Sequence, residues 1–179
     1  MSVLRFLMLL SLVVWVGGIV FFAAVVAPAV FSVLPTRHFA GLVVSRSLTL
    51  LHWIGVVSGG IFLICSFYHA YLSTGNAQPA APRNALIAIM ILLTLASQMM
   101  VAPRMSSLRA EMGEIDLVAP TDARRVEFNR LHQWSTRIEV VVLVLGLATI
   151  YLVARGWSLP PVVTLNSLPM QDAARALRS

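Results

Sequence analysis

Residues 6–33 read FLMLLSLVVWVGGIVFFAAVVAPAVFSV, an apolar run interrupted only by Ser11, Gly17, Gly18, Pro28 and Ser32. A secretory signal has an apolar core of about 7–15 residues, and this run is far longer. It predicts a retained membrane-spanning helix, because roughly 20 apolar residues cross the hydrocarbon core. Three more runs follow, at 48–72, at 85–102 closed by Pro103, and at 138–154 closed by Arg155-Gly156. None shows the period-two alternation of a barrel strand, so the runs are helices. The expected fold class is all-α membrane, a four-transmembrane-helix bundle occupying residues 1–156, with a mobile tail at 157–179.

Composition agrees. Of 179 residues 59% are hydrophobic and 11% charged, against about 45–50% and about 25% in a typical soluble domain. That excludes disorder, and it leaves too few polar residues to cover a soluble globule. All 13 basic residues are arginine, scattered along the chain. The net charge of +6 therefore makes no basic face of the kind nucleic acid requires. One cysteine, Cys65, excludes an intramolecular disulfide and a CxxC motif. The expected partner is the lipid bilayer, with a homo-oligomer or a membrane complex as further possibilities.

The connections carry most of the polar residues. Residues 34–46 and 73–84 read as loops. In 103–136, Met105, Leu108, Met112 and Ile115 recur at helical spacing, which predicts an amphipathic surface helix over about 104–118. Pro120-Thr121-Asp122 reads as the start of a helix that runs into the fourth span. Eight arginines lie on the face of 34–46 and 103–136, and five on the face of the termini. The positive-inside rule then places 34–46 and 103–136 in the cytoplasm of a bacterial inner membrane. His38, in the first of these loops, is expected to be solvated.

A short internal echo organises the polar residues within the spans. Val26-Ala27-Pro28 is repeated as Val101-Ala102-Pro103, 75 positions on, and Leu51-His52-Trp53 resembles Leu131-His132-Gln133-Trp134, 80 on. The expectation is two pseudo-repeated helical hairpins related by an axis along the membrane normal. In that register His52 and His132 are equivalent and point into the bundle. His52 shares its helical face with Gly55, Gly59 and Ser66, and His132 shares one with Ser135, Glu139, Gly146 and Thr149.

Ionisable residues within a membrane are costly and mark function. His52 and His132 are the candidate cofactor ligands, with Glu139 as a third candidate metal ligand and Gln98 as a further intramembrane polar group. Two facing imidazoles suit an axial haem b iron, or copper. Against this stands interfacial hydrogen bonding for the histidines, and for Glu139 a structural ion pair with Arg46 or Arg137. A second function class is a small metal or solute permease using His132, Glu139 and Gln98. A third is a non-catalytic accessory or assembly subunit. No nucleophile–base set, phosphate loop or HExxH motif is present, which points away from an enzyme.

The segments Val14-Trp15-Val16-Gly17-Gly18, Val26-Ala27-Pro28-Ala29-Val30-Phe31 and Phe128 to Ser135 resemble bacterial four-helix membrane proteins related to eukaryotic transmembrane protein 205, a family carrying a domain of unknown function. More remotely they resemble copper-resistance-D-type membrane proteins and the bacterial membrane protoporphyrinogen oxidase. The resemblance covers residues 4–155 and implies a compact four-helix bundle. The chain lacks the fuller histidine pattern of the remote groups, and without any lysine it cannot hold the oxidase group's catalytic lysine.

Overall fold

The computed structural model describes residues 2–76 and 81–155, and among these every regular element is helical. Four helices are long and apolar enough to cross a membrane: α1 (Ser2–Val33), α2 (Arg37–Thr74), α3 (Pro82–Met112) and α4 (Ala123–Arg155). No more than 33% of the most apolar stretch of any of them is buried inside the bundle. The outward faces carry side chains such as Phe21, Ile64, Leu92 and Val144. Such continuous apolar surface is stable only with lipid as the solvent, so the chain is an integral membrane protein. The tail at 157–179 lies outside the described residues.

The helices close into a ring, α1 on α2, α2 on α3, α3 on α4, and α4 back on α1. Trp15, Leu12, Phe62, Ile87, Met90 and Val142 fill the middle.

Two helices carry the same local defect. A π turn at Phe22–Val26 interrupts α1 and another at Ser97–Val101 interrupts α3. In each, the following alanine donates its N–H five residues back, Ala27 to Phe22 and Ala102 to Ser97. The cause is the next residue, Pro28 or Pro103, which has no N–H to give the carbonyl four positions earlier and whose ring would strike it. Widening one turn absorbs both problems without breaking the helix.

This corrects the expected surface helix at 104–118. Residues Ala102–Met112 continue the third span through its π turn, and only a 3₁₀ turn at Ile115–Leu117 follows. The expected loop 34–46 also shrinks, because α2 begins at Arg37. Thr36 caps it by accepting a hydrogen bond from the Phe39 N–H at 3.3 Å. His38 therefore lies in the first turn of a helix and is half-buried, not in a solvated loop. The start of the fourth helix after Pro120-Thr121-Asp122 is as expected.

The hairpin repeat is real, with a register different from the one the histidines imply. A β-carbon on Gly59 would strike Trp15 of α1 at 2.6 Å and Ile91 of α3 at 2.9 Å. One on Gly146 would strike Val16 of α1 at 2.6 Å and meet Met90 of α3 at 3.3 Å. Trp15 and Met90 are 75 positions apart, as are Val16 and Ile91, the interval that also separates the prolines and the π turns. Gly59 and Gly146 are thus the same position in two hairpins, and α2 maps onto α4 with an interval of 87. The two intervals differ by 12 because the connection at 113–122 is seven residues longer than that at 34–36, α3 runs four residues past the point that matches the end of α1, and α4 begins one residue before the point that matches the start of α2.

The cap of α4 gives a pH prediction. Asp122 accepts the Arg124 N–H at 2.8 Å and two hydrogen bonds from the Arg124 guanidinium, at 3.1 and 2.9 Å. These bonds hold its carboxyl down at about 2, from an ordinary 3.8. A depressed folded value stabilises the fold above the unfolded value and is lost as pH falls through the folded one. Asn at this position caps a helix as well as Asp does but carries no titrating group. Asp122→Asn is therefore expected to flatten the fall of the thermal midpoint between pH 3.8 and about 2, relative to the native chain, in circular-dichroism melts.

Candidate functional site

The 87-residue interval places Glu139 opposite His52, and there the two side chains meet. His52 is 5% exposed. Its Nε2 lies 2.9 Å from Glu139 Oε2 and its Nδ1 2.9 Å from Gln98 Oε1. His52 thus joins α2 to α3 and α4. Gln98 is placed by the π turn of α3, the kind of defect that often marks functional sites. Gly55, Gly59 and Ser66, expected on the His52 face, are buried with it, and Gly146 and Thr149 are buried on the Glu139 face.

His132 is not part of this group. It stands exposed on α4 with its ring stacked on Phe128, centroids 6.5 Å apart. It precedes Glu139 by seven residues, two turns, or about 10 Å along the helix. The expectation that the two histidines face each other fails because Leu-His-Trp and Leu-His-Gln-Trp are not equivalent segments. Nor does Glu139 pair with Arg46 or Arg137. Its partner is His52, while Arg137 lies over the Trp134 ring at 5.5 Å.

The residues present do not fit an axial haem or copper site. Both ring nitrogens of His52 are engaged, and the second imidazole is two turns away. Met99 and Met100 are exposed on the outer surface. Among the described residues no three His, Cys, Asp or Glu side chains gather as a metal ligand set.

The hydrogen bonds constrain where protons sit. With Gln98 Oε1 accepting, His52 Nδ1 must carry a proton. One further proton then lies between Nε2 and Glu139, as imidazolium beside carboxylate or as neutral imidazole beside carboxylic acid. Removing it turns the Nε2 lone pair toward the carboxylate. The contact is restored only if the Gln98 amide rotates to donate to Nδ1, freeing Nε2–H to donate to Glu139. Amide orientation is assigned from such networks, and here it is coupled to the charge of the pair.

One atom is left over. Glu139 Oε1 is buried with no hydrogen-bond partner. His52 receives Gln98 from α3, and the position 75 earlier in the repeat is Ala23, which is exposed on α1. A methyl group cannot donate.

A family model described as Domain of unknown function (DUF4149) matches residues 10–114, more than half of the chain. The chain belongs to the DUF4149 family. The matched part of this DUF4149 chain runs from α1 to the end of α3, with His52 and Gln98 inside it and Glu139 beyond it. Comparison with curated proteins and with solved structures gives no match.

Proposed function

We propose that this DUF4149 protein is a small proton-coupled permease whose coupling site is the His52–Glu139 pair. The observation that carries this is the 2.9 Å contact between His52 Nε2 and Glu139 Oε2, a place for one proton to be shared, beside a buried and unpaired acceptor, Oε1, on the same carboxylate. A cation or hydrogen-bond donor at Oε1 stabilises the ionised carboxylate, which releases the shared proton. Protonation of the pair lowers the attraction of Oε1 for that donor. Gln98 acts as a positioning residue, holding the imidazole and reorienting as the charge changes. This reading replaces haem or metal retention by paired histidines, for which the geometry supplies one engaged ligand.

Infrared difference spectra of the full chain in nanodiscs, taken across a pH titration, test the reading. The expected result is a titrating carboxylic-acid carbonyl band that is absent in Glu139→Gln and displaced in Gln98→Leu. A titration unchanged by Glu139→Gln, or a Soret band in protein from haem-supplemented cells that disappears in His52→Ala, overturns it.

A further inference from the structure

Away from the His52 site, the first turn of α2 and the last turns of α3 enclose an open cavity of ≈ 330 Å³ lined by His38, Leu42, Ser106, Arg109, Ala110 and Gly113. Two buried polar atoms in this lining have no hydrogen-bond partner, His38 Nδ1 and Arg109 Nε. They come from different helices and line the same space. Buried N–H groups are rarely left unpaired, and one that is needs an explanation.

Arg109 is the more telling of the two. It makes no ion pair among the described residues, although Arg104 and Arg124 on the same side of the bundle both do. Its guanidinium is instead fixed from two sides. It lies 5.3 Å over the Phe128 ring of α4, and its Nη2 is 3.5 Å from where a β-carbon on Gly41 of α2 would be. An arginine held by stacking, with a buried unpaired Nε and facing a cavity that has no carboxylate in its lining, is suited to an oxyanion. Ser106 adds a hydroxyl. The surrounding surface mixes exposed Phe39, Leu42 and Val43 with exposed Arg37 and Arg46, as expected where a span leaves the hydrocarbon and meets the headgroups.

We propose that His38, Ser106 and Arg109 form a binding site for a phosphate group, held by the Arg109 fork with His38 as second donor. The phosphate can belong to a lipid headgroup or be free in solution. The proposal is independent of the proton-coupling reading, since it shares no residue with that site.

The test uses the purified full chain in detergent, with native mass spectrometry for added phosphatidylglycerol or diacylglycerol and calorimetry for inorganic phosphate. The expected result is retention of phosphatidylglycerol but not diacylglycerol if the source is lipid, or a calorimetric signal with inorganic phosphate if it is free. Either affinity is expected to fall about tenfold or more in Arg109→Gln, to fall less in His38→Gln, and to be unchanged in Arg130→Gln. Should Arg109→Gln lose its helical circular dichroism, His38→Gln decides alone. Equal retention of phosphatidylglycerol and diacylglycerol with no phosphate signal overturns the proposal. So does wild-type affinity in His38→Gln together with a folded Arg109→Gln.

Discussion

Gly55→Val is expected to cost roughly 3 kcal/mol of bundle stability, the upper part of the range for overpacking a close-packed interior. A β-carbon at residue 55 would lie 2.3 Å from the Trp15 Nε1 and 2.7 Å from two further indole atoms. Trp15 cannot give way, since it is 1% exposed and its far edge already presses on Gly59. Gly146→Val tests the second hairpin at the counterpart of Gly59, and there the contacts are with the side chains of Val16 and Met90. Met90 can move its terminal methyl, but the closer contact is one methyl of buried, β-branched Val16 at 2.6 Å, against three indole atoms at Gly55, so a smaller cost of about 2 kcal/mol is expected there. Unfolding equilibria in mixed micelles measure both, and Trp15→Phe should recover part of the loss in Gly55→Val. Equal costs at the two glycines would show that indole packing is not what closes the bundle.

His52→Leu is expected to cost about 2 kcal/mol, whereas His52→Leu with Glu139→Leu should return to within about 1 kcal/mol of the native chain. Removing one partner of a buried pair typically costs 3–5 kcal/mol because an uncompensated charge remains. Here the remaining group is Glu139, whose side chain is 22% exposed, and it can take up a proton. That relief brings the estimate down. Hydrogen bonds between helices in lipid are worth only about 0.6 kcal/mol on average. The stability cost is therefore that of the abandoned carboxyl, not of the lost attraction. The double variant should be as stable as the parent yet lack the titrating carboxyl band. If the two single costs simply add in the double variant, the side chains are not coupled and the site is not a pair.

The span count, the hairpin repeat, the inward placement of His52 and the choice of Gln98 and Glu139 were all legible from polarity and spacing. The partnership among them was not. It depends on register, and register depends on connection lengths that the Leu-His-Trp echo conceals. A better ruler was present in the helix caps. Thr36 and Asp122 each precede a helix and lie 86 positions apart, which sets His52 against the neighbourhood of Glu139 and not against His132. The reach of Gln98 to His52 depends on a π turn, whose only mark in the sequence is the proline that follows. His38 and Arg109 were obscure for a different reason. Each is unremarkable in its own segment, and they share a cavity only because Pro103 lets α3 continue past its apolar run.

The intervals of 75 and 87 describe two halves of one chain facing each other across an axis. Had each half been a separate hairpin pairing with an identical copy, symmetry would have put like against like at position 52, two imidazoles or two carboxylates. Two carboxylates resist sharing ionisation, and two imidazoles resist both being charged. Joining the halves in a single polypeptide removes that constraint, so one half can supply the base and the other the acid. The same freedom lets Gln98 stand where its counterpart is Ala23, leaving one side of the pair closed and the other open. An asymmetric site is something this architecture acquires by being one chain.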